Sequence, residues 1–145
     1  AVGTKKSKKA LVLALVGDLG SGKTTFIQGF MKGLGIKRRI TSPSFLIFRS
    51  YKLPSISFKF PAEGEARHRR RVSGFKKVYH IDCYRLKKPN ELLVLGFKEI
   101  LADPKNLILI EWADKIKKIL PKDTIWLEFK HGKLPNQRII KIKLL

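Results

Sequence analysis

Residues 17–24 read Gly-Asp-Leu-Gly-Ser-Gly-Lys-Thr and are followed by Thr25, which fits the spacing G-x-x-x-x-G-K-[ST]. The chemistry of such a stretch is phosphate binding. Gly17, Gly20 and Gly22 let the backbone bend, so that successive N–H groups turn inward on phosphate oxygens. A helix beginning at this point adds the partial positive charge of its N-terminus. Lys23 supplies a mobile cation for the outer phosphates, and the Thr24 hydroxyl oxygen is a ligand for Mg2+. Gly17, Asp18, Leu19, Gly20, Ser21, Gly22, Lys23, Thr24 and Thr25 are therefore read as nucleotide-binding, with Mg2+ arriving together with the nucleotide.

Holding phosphate is not hydrolysing it. Hydrolysis also needs an acid near the metal and a group that orients water. Two carboxylates are placed for this. Residues 107–111 are an apolar strand ending in Glu111, and residues 78–82 end in Asp82. A carboxylate at the end of an inner strand lies at the carboxyl edge of the sheet, where the phosphate loop also sits. A capping or ion-paired carboxylate is the weaker reading of each. Thr24, Glu111 and Asp82 are the candidate metal ligands, and Asp82 and Glu111 the candidate catalytic acids. Trp112, directly after Glu111, either stacks on a base or fills space. Ser42 and Ser44 flank Pro43 in the loop after the first helix, where γ-phosphate and metal can order a segment; a plain turn explains them as well. His80 reads as a satisfied structural residue ahead of a catalytic one. Cys83 reads as a small buried hydrophobe, since no cationic neighbour marks it as reactive.

The elements that must position these residues follow the pattern of apolar positions. Residues 10–16 are a continuous apolar run, the mark of a buried parallel strand. Residues 22–34 repeat apolar side chains at helical spacing until Gly33 and Gly35 stop them. Residues 40–48 read as loop and strand, and 78–84 and 107–111 as strands. Residues 89–102 read as one helix with Pro89 in its first turn, and 113–120 as a short helix stopped by Pro121. Residues 124–130 and 138–144 alternate as half-buried strands around a turn at His131 and Gly132. Alternating strands and helices closed by a hairpin imply an α/β fold: a single P-loop NTPase domain over residues 1–145, its sheet mixed but mainly parallel, flanked by helices, with a C-terminal β-hairpin.

Composition narrows the setting. The chain has 145 residues with 43% hydrophobic content, enough for one buried core. Against 11 acidic residues stand 32 Lys and Arg, a net charge of +21, which favours polyanionic partners and nucleic acid first. Part of that excess falls in a basic insertion at about 51–77, which contains the run 68–71 (His-Arg-Arg-Arg) and an alternation at Ile56, Phe58 and Phe60. This insertion reads as a long hairpin or mobile excursion, either merely solvated or touching RNA or a partner. The lone Cys83 excludes an internal disulfide and suits a reducing, cytoplasmic location. One Cys and three His make no structural zinc pattern. Lysines at 5, 6, 8 and 9 ahead of the run 10–16 imitate a secretory signal. Cleavage there would remove the strand feeding the phosphate loop, and the run is too short to span a bilayer, so no membrane association is expected.

Four blocks in this order resemble the TsaE (YjeE) family: 17–25 (Gly-Asp-Leu-Gly-Ser-Gly-Lys-Thr-Thr), 41–45 (Thr-Ser-Pro-Ser-Phe), 80–86 (His-Ile-Asp-Cys-Tyr-Arg-Leu) and 109–115 (Leu-Ile-Glu-Trp-Ala-Asp-Lys). The resemblance implies a small bacterial ATPase that uses ATP and Mg2+ and acts on the partner proteins TsaD and TsaB to make threonylcarbamoyladenosine in tRNA. It implies that Lys23 and Thr24 hold phosphate and Mg2+ and that Asp82 and Glu111 are the functional acids, without dividing metal-binding and water-positioning between them. Three departures stand out. Ser44 occupies a position where the family has Thr, the helix ahead of the first strand is absent or cut off, and the 51–77 segment exceeds the family's short turn.

Two other readings are weaker. A small-molecule kinase would need a lid or acceptor motif, and neither is apparent. A basic RNA-binding module with a static nucleotide pocket would have no use for Asp82 and Glu111 together. No guanine-recognition signature of the Asn/Thr-Lys-x-Asp type is present, which favours ATP over GTP.

Overall fold

The computed structural model describes residues 8–43, 46–54 and 74–144. Its framework is a six-stranded sheet in the order β2-β3-β4-β1-β5-β6. The strands are β1 (Leu11–Gly17), β2 (Phe48–Lys52), β3 (Lys77–Asp82), β4 (Asn106–Glu111), β5 (Ile125–His131) and β6 (Arg138–Leu144). β3, β4, β1 and β5 run parallel, and β2 and β6 pair antiparallel at the two edges. The mixed, mainly parallel sheet with a C-terminal hairpin is the α/β arrangement expected from the alternation of patterns.

The apolar runs explain which strands are central. Every residue of β4 is buried, and β1 is buried through its middle. Such strands need cover on both faces. On one face α1 (Lys23–Gly33) lays Ile27 and Met31 onto Leu13, Leu15, Val78, Leu107, Leu109, Leu127 and Phe129. On the other face α2 (Asn90–Val94), α3 (Phe97–Ala102) and a 3-10 segment (Ala113–Ile119) place Leu92, Phe97 and Ile116 against Val12, Ala14, Ile81, Ile108 and Ile110. Cys83 lies in this second cluster with no exposed surface.

Four local expectations are corrected. The single helix at 89–102 is two, because Gly96 adopts φ 88°, a left-handed conformation that breaks the helical path and starts α3. The strand expected within 40–48 begins only at Phe48; Pro43 lacks an N–H for a ladder, and its carbonyl accepts from Leu46 N–H in a turn. The strand expected to reach residue 84 stops at Asp82, where Leu86 N–H turns back to Cys83 O. Residues 138–144 do not alternate in burial. All of β6 is exposed, since an edge strand here has no helix packed over it.

Residues 55–73, which hold most of the basic insertion expected at 51–77 and the alternation at Ile56, Phe58 and Phe60, lie outside the described residues, as does Ser44. The flanks are described. Tyr51 and Lys52 end β2, Lys77 begins β3, and Leu53 N–H donates to Lys76 O at 2.9 Å. The segment therefore joins two paired antiparallel strands.

Candidate functional site

The site lies at the carboxyl edge of the sheet, where β1 and β4 stand side by side with Leu15 opposite Glu111. The chain leaves β1 toward α1 on one face and leaves β4 toward the 3-10 segment on the other. Loops parting to opposite faces open a crevice between the strand ends, the usual ligand position in open α/β sheets.

Three glycines shape the phosphate loop. Gly17, Gly20 and Gly22 have φ of 147°, 73° and 101°. At Gly17 the reason is also steric, since a Cβ would stand 2.4 Å from the Phe129 carbonyl oxygen on β5. The first helical bond of α1 runs from Phe26 N–H to Gly22 O, and the helix has no side-chain cap. The amides of Lys23, Thr24 and Thr25 thus precede the hydrogen-bonded part of the helix and remain donors at its positive end. Lys23 is buried, and its Nζ donates to Gly17 O at 2.6 Å and Asp18 O at 2.8 Å. Burial lowers its pKa from the ordinary lysine value, against the raising effect of Glu111 first and then of Asp18, Asp82 and Asp114. A phosphate group placed here would relieve that desolvation with its own charge.

The two acids meet as neighbours. Asp82 and Glu111 are register partners across the parallel β3–β4 pair, and alternation turns both toward the α1 face. Glu111 is buried. Its Oε1 accepts from the Thr24 hydroxyl at 2.6 Å and its Oε2 from His80 Nε2 at 2.7 Å. His80 is wholly buried, and its Nδ1 has no partner among the described residues. Asp82 stands nearer solvent, with Oδ2 accepting from the Ser42 hydroxyl at 2.8 Å and Oδ1 from Tyr84 N–H at 2.9 Å. Trp112 has φ 56°, the one non-glycine among the described residues with a positive φ. Its ring lies 4.2 Å from Lys23 Nζ and 5.0 Å from the Tyr84 ring.

A cleft of about 280 Å3 gathers these groups. Leu19, Gly20, Gly22, Lys23, Thr24, Thr25, Asp82, Glu111 and Trp112 line it, together with Ser42 and Tyr84. Gly17, Asp18 and Ser21 do not line it. They hold the loop from behind: Gly17 packs on β5, the Asp18 carbonyl receives Lys23 and Ser21 N–H, and Ser21 is buried with Oγ 3.4 Å from Lys23 Nζ. Among the described residues no three His, Cys, Asp or Glu side chains converge on a possible metal position. An ion bound at Thr24 and one or two carboxylates would need phosphate oxygens and water to complete its shell. That sharing is the habit of Mg2+, so the donor set fits it.

Several contributors were not legible as such. His80 was read as structural, yet it grips Glu111. Ser42, legible equally as a turn or as part of a segment ordered by phosphate and metal, holds Asp82. Arg138, at the start of β6, reaches the Gly20 carbonyl with Nη2 at 3.4 Å, and no pattern pointed to it. Cys83 is the inert residue expected, its thiol pushed up to about 12, first by burial and then by Asp82.

A phosphate loop leaving the central strand of a mainly parallel sheet, with acids at the ends of neighbouring strands, defines the P-loop NTPase class. Within it, the family model described as "Threonylcarbamoyl adenosine biosynthesis protein TsaE" matches residues 1–140, and the chain belongs to the TsaE family. It is similar to the curated "tRNA threonylcarbamoyladenosine biosynthesis protein TsaE" of Haemophilus influenzae, at 31% identity over 82% of the chain and 62% of that protein. The protein of the same name from Bacillus subtilis is 35% identical over 87% of the chain and 65% of its own length. That of Rickettsia typhi is 36% identical over 91% and 76%. The chain thus spans somewhat less than two thirds of the first two relatives. The crystal structure of Bacillus subtilis YdiB superposes with a TM-score of 0.62 at 30% identity, covering 95% of this chain and 70% of that one.

Proposed function

We propose that the protein is an ATPase of the TsaE type, a single P-loop domain over residues 1–145. It works in the cytoplasm with TsaD and TsaB homologues to support threonylcarbamoyladenosine formation in tRNA, and its Mg2+-dependent ATP hydrolysis drives turnover of that assembly. The observation that carries this reading is the chain of contacts from the Thr24 hydroxyl through Glu111 to His80, set beside the phosphate loop. Mere nucleotide storage has no use for a buried carboxylate held on both oxygens.

In this mechanism the amides at the start of α1 and Lys23 take the phosphates. Lys23 exchanges its loop carbonyls for phosphate oxygens and so regains the stabilisation that burial removes. Mg2+, when bound, would supply neutralisation of the phosphate charge. Glu111 already touches Thr24, which supports assigning it and Thr24 to the metal shell. Asp82, at the open side of the cleft, is then the group that orients the attacking water, and Ser42 fixes its carboxylate. The Trp112 ring screens Lys23 and closes the cleft beside it.

The test is ATP turnover by the chain alone, with TsaD and TsaB, and with RNA alone. Turnover should rise at least about tenfold with the partner proteins, which is about 1.4 kcal/mol in the barrier. Turnover indifferent to the partners and dependent on a small-molecule acceptor would overturn the reading.

A further inference from the structure

At the opposite end of α1 from the phosphate loop, two contiguous grooves of about 700 and 650 Å3 share Gly35, Ile36, Lys37 and Arg38. Their basic residues are Lys32, Lys37, Arg38, Arg39, Lys52 and Lys77, all exposed, and among the described residues no Asp or Glu lines either groove. Two of them, Lys52 and Lys77, are direct partners across the antiparallel β2–β3 pair. Like charges placed opposite each other destabilise a sheet edge, so this pairing is costly without an anion to share. Arg38 is steadied by lying 5.9 Å from the Tyr51 ring, and Lys32 sits in the last turn of α1, where the helix end favours a cation.

We infer that this basic face is a binding surface for the phosphodiester backbone of RNA, separate from the nucleotide site. The electropositive grooves stand independently of the proposed function; the choice of RNA among polyanions rests on the tRNA-modification reading. The shape supports that choice. The surface is concave, as a tracked backbone requires. Among the described residues none of the large exposed hydrophobics lies in either groove, whereas a membrane-binding face carries apolar anchors beside its cations.

The experiment compares two variants of equal charge in RNA binding followed across a salt series, with an unmodified tRNA transcript as probe. One carries Lys37→Ala, Arg38→Ala, Lys52→Ala and Lys77→Ala. The other carries Lys118→Ala, Lys122→Ala, Lys133→Ala and Lys141→Ala, none of which lines either groove. If the face binds, the first variant loses at least about tenfold in affinity and its log–log salt slope falls by about 3, at roughly 0.7 per phosphate contact. The second should stay close to the parent protein. Equal losses in both would show attraction by net charge alone and overturn the inference, as would stronger binding to phosphatidylserine vesicles than to RNA. ATP turnover measured on the same preparations separates the two claims, because the first variant leaves the phosphate loop and both acids intact. Loss of RNA binding with normal turnover tells against nothing in the ATPase reading, and normal RNA binding by a chain without turnover leaves the surface standing.

Discussion

Glu111 is the residue on which the contacts of the site converge, and its environment shows why a carboxylate can be buried there. An isolated buried charge is costly, but hydrogen bonds to both oxygens, from Thr24 and His80, offset the lost water. The same contacts fix where its oxygens point. His80 is therefore a positioning residue, and replacing it should separate binding from turnover. His80→Ala is expected to leave ATP affinity within about threefold and to lower kcat by about 10- to 100-fold, the range for removing a group that orients a metal ligand. Comparison of kcat with the folded fraction, from circular dichroism at the assay temperature, checks it. A fall in activity that merely tracks the folded fraction would leave His80 a structural residue. Glu111 and Asp82 were legible in the sequence because each ends an apolar strand. The grip of His80 was not, since it requires knowing that β3 and β4 are neighbours in a register placing residue 80 diagonally from residue 111.

At the scale of elements, the phosphate loop depends on how closely β1 approaches β5. Gly17 is the point of contact, its φ of 147° and its distance from Phe129 O both excluding a side chain. Gly17→Ala should cost at least about 2 kcal/mol of stability, from backbone strain and overpacking together. Gly20→Ala, with φ 73° but open space around it, should cost only about 1 kcal/mol. Urea unfolding of both variants gives the comparison, and equal costs would refute the packing argument. The central elements were readable because a strand buried on both faces leaves an unbroken apolar run, as in β1 and β4. The break at Gly96 was hidden because apolar spacing continues across it from Leu92 to Ile100. The exposure of β6 was hidden for another reason: alternating side chains reveal two faces, not whether anything covers them.

Over the whole molecule, the cleft at the carboxyl edge and the basic grooves lie at opposite ends of α1. The carboxyl edge gathers the phosphate loop, Glu111, Asp82 and Trp112, and the far end of α1 gathers basic residues with no Asp or Glu among the described lining residues. The net charge of +21 favours a polyanionic partner without locating a contact, because position along the chain does not show which lysines share a groove. Among the described residues no helix is long and apolar enough to cross a membrane. The central claim is that the acids at the ends of β3 and β4 turn a phosphate-binding loop into a hydrolytic centre. Its most direct measurement is ATP hydrolysis by Glu111→Ala and Asp82→Ala in the presence of TsaD and TsaB, with nucleotide affinity measured on the same samples. Each variant is predicted to retain binding within about tenfold while losing at least about 100-fold in turnover, a barrier increase of about 2.7 kcal/mol. Turnover unchanged in both variants would contradict the account.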